Sequence, residues 1–447
     1  GTVSYGAMAW RFMPEDFQME TVYGKVKDST LADWPITYDD LEPFYEKAEW
    51  EIGVAGDDSP NPFAPPRKKD FPMPPFENNE DGEILSAACK RLGLHPFPIP
   101  MARNSVRYND RAACIRNRTC VGYACPVDAK NGSHNTVVPT AIKSGNCELR
   151  VNSQVAEILM ADNGKAKGVR YFDEDNQEQI QTADIVIIAA SAIESARLLL
   201  ISGNSKFPNG LGNNNDWVGR NLQAHAYTGA NALFDRDIQH MRGPGATIGI
   251  CDYNHHNEGI IGGGLLANEF YLPPYLFSNF RPPGEPSWGI EHKKFQKTNF
   301  FRYTKMMGPI QEMPNYDARV VIMKDKKDYW GRPVVGLSGG RHPLDRVHCK
   351  FLTEKAENIL YEAGASKVWS WIGGGGIGAG AHQMGTCRMG DDPKTSVVNR
   401  YGQVHDINNL YVVDGGVCVT GGGFNPALTI MALGYWFGHH IVEKYKT

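Results

Sequence analysis

AHQMGTCRMG at residues 381–390 and NNLYVVDGGVCVTGGGFNPALTIMA at residues 408–432 decide how this chain is read. The first segment offers one histidine, His382, in glycine-rich surroundings. The second opens on a short apolar strand, 410–413, that ends at Asp414-Gly415-Gly416. Glycine at the end of a strand lets backbone come close to a ligand. A glycine cluster then leads to Asn425-Pro426 and a helix-like apolar run over 427–437. Pro426 suits the first turn of a helix and Asn425 its N-cap, and a helix N-terminus favours negative charge. His382 can take a proton near neutral pH, and Asn425 can hold an oxygen.

Composition sets the outer limits. The 447 residues can bury a large core and suggest two or three subdomains. A net charge of −4 gives no basic footprint for nucleic acid. No run of about eighteen apolar residues occurs, so no transmembrane helix is expected. Nine cysteines are too few for a disulfide scaffold.

Outward from the deciding stretch, local patterns predict a mixed α/β (α+β) chain. Residues 184–203 read as a buried strand, a turn of small residues (Ala189, Ala190, Ser191) and a helix, the pattern of an α/β crossover. Leu41, Phe44, Tyr45, Ala48 and Ile52 recur at helical spacing within 34–55, with Asp39 or Asp40 able to cap. Further helices are expected over 81–94, 139–143 and 345–362. A hairpin over 147–171 turns at Asn163-Gly164, and strands are expected at 319–323 and 333–337.

Residues 111–142 hold three cysteines, Cys114, Cys120 and Cys125, spaced C-x5-C-x4-C-P. Thiolates in irregular loops hold iron–sulfur clusters, often with proline after the last one. A [3Fe-4S] cluster needs three such ligands. A metal-free loop is the alternative. Zinc is disfavoured, since no C-x2-C pair occurs and His134 is the one histidine nearby. Neither Gly-x-Ser-x-Gly nor His-Glu-x-x-His is present, which argues against a hydrolase.

His382, Gly385, Thr386, Met389, Gly390, Asp414, Gly415, Asn425, Pro426, Thr429 and Met431 fall in order on a pattern that closely resembles the C-terminal block of the glucose–methanol–choline (GMC) flavoprotein oxidoreductases. Residues 184–203 resemble the second signature of that family, departing from it at Ala196, Asn204 and Ser205. Gly219-Arg220-Asn221-Leu222 with His225 resembles its next short motif, where the histidine is expected to be structural. The Cys loop and the 34–55 helix resemble the sugar-dehydrogenase and pyranose-oxidase branch.

The resemblance implies a GMC-type two-domain fold. A discontinuous FAD-binding, Rossmann-like domain would comprise 1–33, 140–225 and 373–447. A substrate-binding region with an antiparallel sheet would comprise 34–139 and 226–372, including the Cys-rich loop 111–130. The family's Gly-x-Gly-x-x-Gly unit is not found, and the glycine run 373–376 does not fit it. The expectation is that a segment of about ninety residues carrying that unit precedes Gly1. FAD would touch Gly1, Thr2, Ser4, Tyr5, Gly6, Val155, Ala189, Ser191, Asp414, Gly415, Asn425, Pro426 and Thr429. Tyr5 stands where pyranose oxidases carry the histidine that bonds covalently to FAD, so FAD is expected to be non-covalent. His382 would be the catalytic base and Asn425 its partner.

The implied substrate is a sugar or glycoside hydroxyl, with Trp288, His292, Trp369 and Trp371 as candidate contacts, each of them equally readable as a core residue. With a cluster on Cys114, Cys120 and Cys125, electrons would pass to a cytochrome subunit. Without one, oxygen or a soluble quinone would take them. A small export subunit and a periplasmic or membrane-associated location through partners would accompany the first case, a cytoplasmic location the second. A scaffold subunit with a decayed flavin fold is the non-enzymatic alternative, against which the retained His382 and Asn425 speak.

Overall fold

The computed structural model describes residues 1–446 apart from 240, 241, 244, 374, 378, 379 and 381. Gly374 of the glycine run and Ala381, where the deciding stretch opens, therefore lie outside the described residues. Among those described, six helices have ten residues or more: α1 (Tyr38–Ile52), α2 (Glu80–Arg91), α3 (Ala192–Ile201), α4 (Gly289–Asn299), α5 (Pro343–Glu362) and α6 (Ala427–Tyr445). The strands are β1 (Phe97–Pro98), β2 (Gln154–Met160), β3 (Ala166–Phe172), β4 (Glu178–Thr182), β5 (Val186–Ile188), β6 (Tyr227–Leu233), β7 (Ile248–Ile250), β8 (Leu266–Asn268), β9 (Tyr303–Pro309), β10 (Arg319–Lys327), β11 (Pro333–Ser338), β12 (Lys367–Trp371) and β13 (Leu410–Val412).

β5 and β13 pair in parallel, Val186 beside Leu410 and Ile188 beside Val412. β5 leads through Ala189–Ser191 into α3, and β13 leads through the turn at Asp414 and the glycine loop into α6. The crossover expected at 184–203 is thus present. The hairpin β2–β3 is also present, with β4 added to its outer edge as a third antiparallel strand.

The larger sheet is antiparallel throughout, in the order β1-β7-β8-β9-β6-β12. Strand alternation divides its side chains between two faces. Ala230, Ala232 and Met306 turn to α5 and pack with Cys349, Leu352, Ala356 and Ile359. Small residues on the strand let the helix sit close. The opposite face carries Tyr227, Asn231, Tyr303 and Trp369, and Tyr303 donates its hydroxyl hydrogen to Asn231 at 2.5 Å.

α1 lies against α6, joined where Tyr45 meets Thr429, hydroxyl to hydroxyl at 2.7 Å. Thr37 caps α1 rather than Asp39 or Asp40. The Thr37 hydroxyl accepts from Asp40 N–H at 3.2 Å while the Asp40 carboxylate accepts from Thr37 N–H at 2.8 Å, a reciprocal capping box.

Candidate active site

Two backbone segments far apart in sequence build the site. Gln223 and Met384 exchange both amide hydrogen bonds, at 3.0 and 2.9 Å, as an antiparallel bridge. Two residues on from one and two back from the other, His225 and His382 face each other. Their Nδ1 atoms are 2.9 Å apart and their rings meet edge to face, centroids 5.1 Å apart. Gly385 must be glycine here: its φ is +88° and a Cβ would stand 2.1 Å from the Asn221 carbonyl oxygen.

Asn425 completes the constellation. Its Nδ2 donates to Tyr227 Oη at 2.9 Å and to His382 Nε2 at 3.2 Å. The expected N-cap role is corrected: Pro426 occupies the N-cap, and α6 begins at Ala427. One residue of offset releases the Asn425 amide from the helix, so it faces the histidine. Its Oδ1 is buried without a hydrogen-bond partner, an acceptor open to a ligand's donor.

Burial disfavours charge on these imidazoles. It pushes His382 down to about 4 and His225 well below the ordinary histidine value, the second also through the neighbouring His382. At neutral pH both rings are uncharged, so His382 can accept a proton. Tyr227 is raised well above its usual value, first by burial and then by the charge of Glu269.

That glutamate lies just past β8. Continuing the register beyond Asn268↔Met306 brings it beside Lys305 of β9. Burial raises the Glu269 carboxyl and lowers the Lys305 ammonium, each partly offset by the charge of the other. Trp369 and Trp371 lie on β12, the strand that pairs with β6, packed on Tyr303 and Phe280. Trp288, by contrast, is 83% exposed at the start of α4, and His292 turns its Nδ1 to the Pro286 carbonyl at 2.9 Å. Register puts Trp369 and Trp371 on the sheet face that carries Tyr227, whereas Trp288 is solvent-exposed at the start of α4.

The remaining expected cofactor contacts divide into groups. Val155 lines a cavity of about 330 Å³ together with Ala190, Glu194, Arg197 and Leu198, and Ala189 and Ser191 are exposed beside it. That volume is in the range of ligand pockets. Asp414 is buried: it accepts from the Ser195 hydroxyl and, at 2.8 Å, from Gly416 N–H, which ties the turn after β13 to the start of α3. Gly415 takes the Gly385 N–H on its carbonyl at 3.1 Å, and Thr429 is committed to Tyr45.

The N-terminal segment reaches the Cys loop. Ser4 O accepts from Gly122 N–H at 2.8 Å, Tyr5 donates to the Asn131 carbonyl, and Gly6 O accepts from Arg103. Thr2 Oγ1 lies 3.4 Å from His134 Nδ1, and Gly1 is exposed. The Phe270 ring comes within 2.5 Å of where a Gly6 Cβ would be.

Cys114, Cys120 and Cys125 line one small cavity with Arg103 and Lys130. Backbone N–H groups of Arg116 and Ala129 donate to Cys114 Sγ and Cys125 Sγ at 3.4 and 3.3 Å. Lys130 Nζ donates to the carbonyls of Tyr5, Cys120 and Tyr123 at 3.3, 3.0 and 2.7 Å. Among the described residues, no three His, Cys, Asp or Glu side chains converge on one ion position.

Sequence reasoning missed Tyr227, Glu269 and Lys305 as wall residues. Tyr227 had a signal, since it opens a strand two residues after His225. Glu269 and Lys305 meet only through strand register, which leaves no local mark.

Two family profiles, both described as GMC oxidoreductase, match residues 22–227 and 314–434. A 6'''-hydroxyparomomycin C oxidase of Streptomyces lividus is 31% identical over 443 residues, covering 97% of this chain and 76% of the relative. A gluconate 2-dehydrogenase flavoprotein of Pantoea cypripedii is 28% identical, covering 95% and 75%. Among solved structures, pyridoxine 4-oxidase from Mesorbium loti superposes with a TM-score of 0.62 at 16% identity, covering 98% of this chain and 82% of that one. The chain belongs to the GMC oxidoreductases, FAD-binding enzymes that oxidise CH–OH groups of alcohols and sugars.

Proposed function

We propose that the protein oxidises a hydroxyl group of a sugar or glycoside to a ketone or lactone. The observation that carries this reading is the uncharged His382, whose Nε2 shares Asn425 with Tyr227 beside a wall of carboxylate, ammonium and indole groups. Bound FAD would supply the hydride acceptor. His382 Nε2 would take the hydroxyl proton, and the Asn425 Nδ2 hydrogen released when His382 is protonated would turn to the same oxygen as negative charge develops on it. Glu269 and Lys305 suit the remaining hydroxyls as acceptor and donor. The substrates named for the two curated relatives, a glycoside and a sugar acid, support the class.

The residues fit the cofactor. The unpartnered Asn425 Oδ1 and the 330 Å³ cavity beside Val155 offer polar and apolar contacts. Gly1, Thr2, Ser4, Tyr5, Gly6, Ala189, Ser191, Asp414, Gly415, Pro426 and Thr429 are proposed to complete the site, with FAD held non-covalently. In the test, full-length holoprotein is mixed with glucose or a glycoside without oxygen. Flavin bands at about 370 and 450 nm should bleach. Bands that persist with every sugar would reject the substrate class.

We also propose that Cys114, Cys120 and Cys125 hold a [3Fe-4S] cluster that hands electrons to a cytochrome subunit, with a small export subunit and a periplasmic location. Each cluster thiolate binds its own iron, so the sulfurs need not converge on one ion. Two N–H···S bonds and the nearby Arg103 and Lys130 suit an anionic cluster. No helix among the described residues is long and apolar enough to cross a membrane, so membrane association would come through the partners. Iron analysis should give about three irons per chain, lost in Cys120→Ser while flavin stays. Iron-free parent protein would overturn the cluster. The 31%-identical oxidase supports a second reading, in which dioxygen reoxidises the enzyme directly. Reoxidation rates with dioxygen and with a one-electron acceptor separate the two.

A further inference from the structure

We propose that His225 is a positioning residue that fixes the tautomer of His382. The proposal rests on alcohol oxidation at this site and holds for any alcohol substrate. The argument starts from a group with no choice. The carbonyl of Gly421 can only accept, and His225 Nε2 lies 3.0 Å from it, so Nε2 of His225 carries the hydrogen. A neutral imidazole has one N–H, so Nδ1 of His225 is a lone pair. His382 Nδ1, 2.9 Å away, must then be the donor. That leaves His382 Nε2 unprotonated, and it accepts from Asn425 Nδ2. One backbone carbonyl thus sets the protonation of four ring nitrogens in sequence and leaves His382 Nε2 as the acceptor.

The surroundings hold this arrangement rigidly. His225 adopts φ +52°, a left-handed conformation that most residues avoid. Glu312 Oε2 accepts the N–H groups of Ala224 and His225 at 2.8 and 2.9 Å, which pins that turn, and Arg341 pairs with Glu312. Glycine at 421 makes room, because a Cβ there would stand 2.8 Å from His225 Nε2. The groups facing the histidine pair are Asn425, Tyr227 and the Gly421 carbonyl, with Arg341 contributing a weaker repulsion to His225.

The test uses three variants of the full-length holoprotein. Asn places its Oδ1 near the position of histidine Nδ1 and tolerates a left-handed φ, so His225→Asn keeps the acceptor for His382. His225→Gln reaches the Nε2 position only, and His225→Ala keeps neither. Expected is a kcat loss of about 10²-fold or more for Ala and Gln, with KM and flavin content unchanged, and substantial recovery in Asn. The acid limb of the pH–kcat/KM profile should rise in His225→Ala from about 4 toward the ordinary histidine value, as water enters beside His382. Equal losses in Asn and Ala, or Ala within about threefold of the parent, would overturn the proposal. Imidazole ¹⁵N shifts of the parent give an assay-free reading. His382 protonated at Nδ1 supports the proposal, and protonation at Nε2 defeats it, whether or not any sugar is oxidised.

Discussion

His382→Ala lowers the rate of substrate-driven flavin bleaching by about 10²–10⁴-fold, the span that a positioned general base contributes, while flavin content stays at the parental level. The expectation follows from the site's geometry. His382 alone presents an imidazole nitrogen to Asn425, and the other ring at the site, His225, is tied up by the Gly421 carbonyl and by His382 itself. Rapid anaerobic mixing with the substrate measures the loss directly. A variant that bleaches at near-parental rate would remove His382 from the chemistry.

The pH dependence has a definite sign. Burial depresses the folded-state His382 to about 4, so the neutral, proton-accepting form prevails above that value. Activity should rise with pH through about 4 and then stay level with respect to this group. Folding carries the same sign. An unfolded histidine binds its proton near the ordinary value of about 6.5, and the folded one resists until about 4. The stability contributed is full above the unfolded value and is lost as pH falls toward the folded one. His348, also pushed down to about 4 by burial, adds to this acid sensitivity.

Local pattern carried most of the fold. The helical spacing of Leu41, Tyr45, Ala48 and Ile52 predicted α1, and all four side chains are buried. The Val-Ile-Ile run at 186–188 predicted the parallel strand, and its partner is the run at 410–412. β4 escaped notice because EQIQT is exposed at every position and shows no hydrophobic alternation. His382 and Asn425 were legible from their setting. Their relation to His225 was not, since the two histidines are 157 residues apart and meet only through the Gln223↔Met384 bridge. The pairing of Glu269 with Lys305 is a matter of register for the same reason. Contacts made within a turn of helix or a strand leave a periodic mark, and contacts made by pairing distant strands do not.

Removing Arg11 should strongly destabilise the protein. Its guanidinium is buried and grips Glu49 in a bidentate pair, Nε to Oε1 at 2.8 Å and Nη2 to Oε2 at 2.7 Å. It also donates to Tyr38 Oη at 3.0 Å and lies 3.4 Å from Glu42. Burial alone would lower its pKa, but the hydrogen bonds and charge of Glu49 more than reverse that and leave it raised. Arg11→Met strands Glu49, which is 0% exposed, with Arg67 as its remaining cation at 3.1 Å. Breaking a buried pair from one side costs about 3–5 kcal/mol, because a charge is left without its partner in a poorly solvated place. The double variant Arg11→Met/Glu49→Leu removes both charges and should recover more than half of that loss, since apolar replacements of similar volume tolerate burial. The consequence reaches the active site. Arg11 lies between Trp10 and Phe12, whose rings pack on Phe424, the residue before Asn425. Loosening the ion pair should therefore release the glycine loop that aims Asn425, and cofactor loss on heating should track the melting of the whole chain. Chemical denaturation of the two variants beside the parent measures both effects, and an Arg11→Met protein as stable as the parent would show that the network contributes nothing to holding this loop.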